Sequence, residues 1–271
     1  MTHHRLFAEK HHASIYQMYR FEPPNELKEL ILLYLEKKKG KPHSLAVDLG
    51  CGTGQNTRPL APYFQEVVGI DVSESQVEEA KAVPGYPNIS YRAGPAEVIP
   101  FPDCSVDLIT AASAAHWFDA DPFLKEANRA LKPHGCMALL GYTDNFKFHY
   151  QSCGGALRKI FEEFKKELIP FTRTQVAVNN SRLQYLYDSI TYPEKERLEM
   201  QMRYQVPVKR ILGFIESFST YQDYLRINPK AAEALLQNTT KGFLEEMGVT
   251  STDTDLELEM DYYCVLTCKP Q

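Results

Sequence analysis

The chain has 271 residues, 44% of them hydrophobic, with a formal net charge of -5 and an isoelectric point near 5.9. That is enough apolar material for a sizeable core and excludes a disordered chain. The acidic balance gives no general attraction to nucleic acid or anionic membranes. No apolar run reaches the roughly eighteen residues of a membrane span. The opening MTHHRLFAEKHH has no continuous apolar segment of the kind a signal peptide needs. Six cysteines (51, 104, 136, 153, 264 and 268) form no CxxC pair, so a structural zinc site is not expected. Reduced cysteines and a cytoplasmic location follow as expectations. The paired histidines at 3–4 and 11–12 have poor helical spacing and no evident carboxylate partner, and take no role.

In chain order, residues 1–40 read as a helical cap. ELKELILLYLEKKK places Leu27, Leu30, Ile31 and Tyr34 at helix spacing, with Gly40 as a stop. Strand and helix signals then alternate. LAVDLG is a short apolar strand, EVVGID (66–71) a second, and SESQVEEAK a helix capped by Ser73. NISYRAG (88–94) and SVDLITAAS (105–113) are the third and fourth strands. DPFLKEANRAL (121–131) is a helix ended by Lys132-Pro133-His134-Gly135, and CMALLGY (136–142) is the fifth strand. Such alternation argues for parallel βαβ units in an open α/β sheet, with ligand at the carboxyl ends of the strands.

Beyond Tyr142 the pattern changes. Residues 145–197 are aromatic and charged, with helical GGALRKIFEEFKKEL, and make a candidate lid. RLEMQMRYQVP alternates, with Leu198, Met200, Met202, Tyr204 and Val206 on one face. VKRILGFIESFSTYQDYL and PKAAEALLQNTTKGFLEEMG read as helices. DLELEMDYYCVLTC alternates again, with Leu256, Leu258, Met260, Tyr262, Cys264 and Leu266 on one face. Clean alternation suits an antiparallel partner. The expected fold is α/β and Rossmann-like. Its sheet is seven-stranded and mostly parallel with an antiparallel edge strand, has helices on both faces and carries a helical lid insertion. The organisation is a single domain over 1–271, with 44–142 the core and 198–271 completing the sheet.

LAVDLGCGTGQNT asks which nucleotide its turn holds. Gly50, Gly52 and Gly54 are spaced by two. A phosphate-cradling loop needs GxxxxGK, and no Lys follows. A dinucleotide fingerprint needs a glycine at 55, where Gln55 stands. Asp48, two residues ahead of the first glycine, repels a pyrophosphate and attracts an ammonium group. Asp71, at the tip of the second strand, suits both ribose hydroxyls of a nucleoside. The ligand implied has a ribose and a cationic amino-acid part, and S-adenosylmethionine meets these demands.

VDLGCGTGQ, GIDVSESQVEEAK, AEVIPFPDCSVDLITAASAAHWFD and EANRALKPHGCMALLGY resemble, in order and spacing, the motifs of class I S-adenosylmethionine-dependent methyltransferases. AAHWFD and IYQMYRFEPP resemble the branch containing trans-aconitate methyltransferase, with Tyr16 and Arg20 matching and Phe21 standing where Pro is usual. The resemblance implies a cofactor site of Tyr16, Arg20, Asp48, Gly50, Cys51, Gly52, Gly54, Asp71, Val72, Ala96, Glu97 and Ser113. Asp48 orients the methionine amino group, Asp71 accepts from the ribose, and the Gly94–Glu97 loop meets the adenine. His116 and Trp117 line the transfer centre, with His116 a candidate base. The N-terminal segment with Tyr19 folds over the cofactor, and Arg20 holds the methionine carboxylate or an acidic substrate. Arg173, Arg182 and Arg203 are weaker candidates for a substrate carboxylate.

The implied activity is O-methylation of a carboxylate or hydroxyl on a small molecule, with neither nucleic acid nor membrane as partner. N- or C-methylation of a lipid-like or quinone precursor is the runner-up. A cofactor-binding homologue without catalysis is the non-enzymatic alternative. The sequence leaves acceptor and oligomeric state open.

Overall fold

The parallel strands form as their apolar runs predict. They are β1 Leu45–Leu49, β2 Glu66–Asp71, β3 Ile89–Ala93, β4 Val106–Ala112 and β5 Leu131–Tyr142. They lie in the order β3-β2-β1-β4-β5 in a computed structural model that describes residues 14–15 and 18–271. β1 is buried at every position, as a central strand covered on both faces requires. Alternate residues feed two cores. Ala46, Val67 and Leu108 join one, while Val47, Val68 and Ile109 join the other. Helices cover both faces: α1 Asn25–Lys39 packs Leu27, Ile31 and Leu35 into the first core, and α3 Ala120–Ala130 packs Phe123 and Ala127 into the second. Between them in sequence, α2 Glu74–Ala82 starts on a Ser73 cap whose side chain accepts from the Gln76 N–H.

An antiparallel group completes the sheet: β6 Lys147–His149, β7 Lys195–Pro207 and β8 Asp255–Cys268. β7 pairs with β8 along its length, from Lys195 opposite Thr267 to Pro207 opposite Asp255. β5 and the short β6 share the other side of β8. The expected mixed sheet is therefore present, with eight strands among the described residues; β6, three residues long, carried no periodic signal. β5 also begins at Leu131, ahead of the expected Cys136, through a register irregularity opposite Val106–Leu108.

The remaining helices are α4 Gly154–Leu168, α5 Thr174–Asn180, α6 Gln184–Ser189, α7 Val208–Glu216, α8 Ser219–Ile227 and α9 Pro229–Met247. α4 buries Leu157, Phe161, Phe164 and Leu168, one per turn of its inner face. These rings join Phe146, Phe148, Phe214, Tyr221 and Phe243 in an aromatic core between helices and sheet. The single helix expected over VKRILGFIESFSTYQDYL is two. α7 stops at buried Ser217, whose hydroxyl donates to the Phe214 carbonyl at 2.6 Å and so competes with helix continuation. Among the described residues no helix is long and apolar enough to cross a membrane.

Candidate active site

β1 delivers the chain to a turn that only glycine builds cheaply. Gly50, Gly52 and Gly54 have φ of 64°, 54° and 85°, a left-handed backbone that a Cβ penalises. Space is also short: a Cβ at Gly50 would overlap the Ala114 methyl, and one at Gly54 the Tyr91 hydroxyl. The turn is tied to β2 through Asp71, whose Oδ2 accepts from the Gly52 N–H at 2.9 Å and Oδ1 from the Ser73 N–H at 2.8 Å. Each carboxylate oxygen keeps further acceptor capacity. Burial pushes the Asp71 carboxyl up, and these two amides oppose it.

Asp48 is fully buried beneath the turn. Its Oδ1 accepts from Asn56 Nδ2 and Thr110 Oγ1, and its Oδ2 from Thr57 Oγ1, each at 2.7 Å. Burial raises its pKa, while the Thr57, Asn56 and Thr110 hydrogen bonds lower it. It lines neither cavity described below, so its reach to a ligand runs through the turn it braces.

Two adjoining cavities open at the carboxyl ends of β1, β4 and β5. The smaller, about 40 Å³, is walled by the turn (Gly50, Cys51, Gly52, Thr53) with Asn56 and Gly141. Thr53 Oγ1 is buried there without a hydrogen-bond partner among the described residues. The larger, about 420 Å³, has Trp117, Phe146, Leu168, Val176 and Phe218 as apolar walls, and Asp144, Glu162, Lys165 and Lys166 among its polar ones. Arg20, Ser113 and Tyr142 line both cavities and so form the junction between them. Ser113 has φ 52°, unusual for a residue with a side chain, and its N–H donates to the Leu140 carbonyl at 2.7 Å. The Arg20 guanidinium donates to the Tyr142 hydroxyl and, at 3.1 Å, to the Ser217 carbonyl.

His116 sits in the short turn Ala115–Trp117 after β4 and faces the larger cavity. Its Nδ1 is buried without a partner among the described residues. Burial, then the Arg20 charge, holds its pKa down to about 3, so the imidazole is neutral at physiological pH. Trp117 lines the same cavity with its ring centroid 5.2 Å from that of His116.

Other sequence candidates lie elsewhere. Cys51 walls the smaller cavity, but burial first, then the Asp71 and Asp48 charges, push its thiol well up, so it is no thiolate. Val72 is exposed and Ala96 buried; neither lines either of these two cavities. Glu97 Oε1 accepts from the Asp119 N–H at 2.8 Å, ahead of α3, which ties two loops together. Arg173 pairs with Asp223, Arg182 with Glu199, and Arg203 with Glu257 and Glu259. None of these three arginines lines either cavity, so none faces a substrate carboxylate there. Tyr16 lies outside the described residues. Sequence reasoning missed Tyr142 and Thr53. The rule that ligands sit at strand carboxyl ends singles out Tyr142, the last residue of β5. No metal-binding cluster occurs among the described residues.

Residues 47–139 match the family model described as a methyltransferase domain. A Dictyostelium discoideum protein named as a candidate methyltransferase is 39% identical over 127 residues, which are 47% of this chain and 46% of that protein. The chain thus spans about half of that relative's length. A ubiquinone/menaquinone biosynthesis C-methyltransferase of a Shewanella species is 27% identical over 62% of this chain and 68% of its own. Among solved structures, a candidate type II methyltransferase from Anaeromyxobacter dehalogenans superposes with a TM-score of 0.75 at 22% identity, covering 93% of this chain and 100% of that one. A Haemonchus contortus phosphoethanolamine N-methyltransferase, solved with phosphomonomethylethanolamine and S-adenosylhomocysteine, gives 0.55 at 17% identity over 98% of this chain and 59% of that one. Residues 47–139 thus match a methyltransferase-domain model, and the Rossmann-like α/β fold around them is shared with solved methyltransferase structures.

Proposed function

We propose that the protein transfers the methyl group of S-adenosylmethionine to an oxygen, carboxylate or hydroxyl, of a small molecule bound in the larger cavity. One observation carries the reading: Arg20, Ser113 and Tyr142 wall both the glycine-turn cavity and the larger one. Donor and acceptor then meet where the two cavities join, beside these three side chains.

The residues present fit the donor. The turn has no Cβ at its three left-handed positions, Thr53 Oγ1 is a buried hydroxyl without a partner among the described residues, and Asp71 stands beside the turn with acceptor capacity left. When bound, S-adenosylmethionine supplies an electrophilic methyl group on a sulfonium. Asp71 would hold the ribose, the turn amides and Arg20 the amino-acid part, and Asp48 would keep the turn in shape. A structural neighbour agrees with this cofactor: the Haemonchus enzyme was solved with S-adenosylhomocysteine.

Transfer to an ionised carboxylate needs alignment rather than proton removal. Arg20 supplies positive charge at the junction, and neutral His116 offers one donor and one acceptor to the acceptor's head group. Trp117, Phe146 and Phe218 exclude water around it. Residues 145–197, the proposed lid of a single methyltransferase domain, furnish the outer wall. The resemblance to the trans-aconitate methyltransferase branch agrees with a carboxylate acceptor. The apolar walls favour a second reading, N- or C-methylation of a lipid-like or quinone precursor, with which the named activity of the Shewanella relative agrees.

Isothermal titration with S-adenosylhomocysteine tests the donor. Binding is expected, and Asp71→Ala should weaken it by roughly 100-fold, the scale of two lost charge-assisted hydrogen bonds. No binding by the unaltered protein sinks the reading. Turnover against a panel of small carboxylic acids and demethylated quinones then separates the two acceptor classes, and absence of turnover on every acceptor would favour a non-catalytic role.

A further inference from the structure

Gly213 is a glycine in the middle of α7, where it costs about 1 kcal/mol relative to alanine. The turn of backbone it exposes is not empty. A Cβ there would approach Tyr19 Cδ2 to 2.6 Å and overlap Cγ and Cδ1 as well. Cγ lies on the axis about which the ring flips, so a ring flip does not relieve the overlap; the side chain has to leave this χ1 rotamer. The glycine exists for the contact, since the helix itself prefers alanine.

The next two residues of the same strap are fixed by the same helix. Phe21 is buried with its ring edge-on to Phe214 at 5.0 Å and 4.9 Å from Tyr204. The Arg20 guanidinium donates to the carbonyl of Ser217, which follows α7, where the helix dipole favours a cation, and lies 5.4 Å from the Phe214 ring. Gly213, Phe214 and Ser217 thus seat Tyr19, Phe21 and Arg20 together. Arg20 is also a wall of both cavities. We infer that Gly213 is a positioning residue for the methyl donor: by admitting the Tyr19 ring it places Arg20 to meet the carboxylate of the donor's amino-acid part. The inference rests on the S-adenosylmethionine reading above.

The test is titration of the full chain with two probes, S-adenosylhomocysteine and 5′-methylthioadenosine, which keeps the nucleoside but lacks the amino-acid part. Gly213→Ala should raise the dissociation constant of S-adenosylhomocysteine roughly tenfold, the scale of one weakened charge-assisted hydrogen bond. It should leave 5′-methylthioadenosine within about twofold. Tyr19→Ala removes the ring without any overlap and should give the same selective loss, which keeps the inference testable if Gly213→Ala folds poorly. Gly155→Ala, in α4 where a Cβ meets nothing within 4 Å, should change neither probe. Equal loss of both probes would mean a structural role only and overturn the inference, as would unchanged affinity for both. No binding of S-adenosylhomocysteine by the unaltered chain would instead remove the donor reading, and this inference with it.

Discussion

The floor of the site and its far wall are built on opposite principles. In the glycine-turn floor the buried charge is answered inside the chain. Asp48 takes three hydrogen bonds, and Asp107 at the other end of the sheet takes Lys39, Lys132 and two backbone amides. In the wall around the larger cavity, apolar side chains such as Trp117, Phe146 and Phe218 alternate with polar ones, Asp144, Glu162, Lys165 and Lys166 among them, and His116 Nδ1 has no partner among the described residues. A donor common to a whole family needs a floor that does not vary. On the proposed reading, an acceptor peculiar to one protein is read by this mixed wall, where His116 Nδ1 is left for it.

The sharpest way to break that comparison is Asp48→Ala. The buried hydroxyls of Thr57 and Thr110 lose their acceptor, and half-buried Asn56 keeps only its 3.1 Å bond to Thr110 Oγ1. The expected cost is about 3 kcal/mol of stability, together with loss of S-adenosylhomocysteine binding, read by chemical denaturation and titration. An unchanged denaturation midpoint would mean that Asp48 does not brace the turn.

His116 gives the next effect, and its sign is fixed by burial. Its folded pKa of about 3 lies below the ordinary histidine value of roughly 6.5. As pH falls from that value toward 3, the unfolded chain takes up the proton first, so stability is complete above it and drains away on the acid side. Buried His43 is shifted in the same direction, burial being the largest cause. His116→Gln should therefore reduce, without abolishing, the loss of stability between about pH 7 and about pH 5, by an amount on the order of 1 kcal/mol. An identical pH slope in the variant would show that the imidazole is not held neutral by its surroundings.

Legibility in the sequence follows the same divide. The floor was readable because each demand there falls on one residue type: glycine for left-handed backbone, an acid at the tip of β2, apolar runs for strands covered on both faces. Both long antiparallel strands were readable from their alternation, and Leu198, Met200 and Met202 do pack toward the core while their neighbours face out. The wall was not readable. Tyr142, Phe146 and Phe218 meet only because β5, the loop after it and the α7–α8 corner converge in space, and no local period encodes that convergence. The corner itself was hidden because Ser217 ends α7 through a side-chain hydrogen bond rather than through Gly or Pro. Arginines were the least legible of all. Arg20 and Arg203 look alike as letters; the N-terminal resemblance set Arg20 apart, and the fold stands it at the junction and Arg203 on an exposed face of β7.

The smallest effect is expected from that last residue. Arg203 is largely exposed on β7, reaching Glu257 at 3.1 Å and Glu259 at 2.9 Å. Glu259 is also held by Lys147 at 2.5 Å and His149 at 3.3 Å, and the Lys147 hydrogen bond is the largest cause keeping its carboxyl below the usual range. Removing Arg203 therefore leaves Glu259 paired, and an exposed ion pair is worth at most about 1 kcal/mol. Arg203→Ala should shift the denaturation midpoint by less than that and leave the KM of any acceptor unchanged. A raised acceptor KM would mean that the outer face of the sheet takes part in acceptor recognition, and the division between a closed floor and a receptive wall would then be drawn in the wrong place.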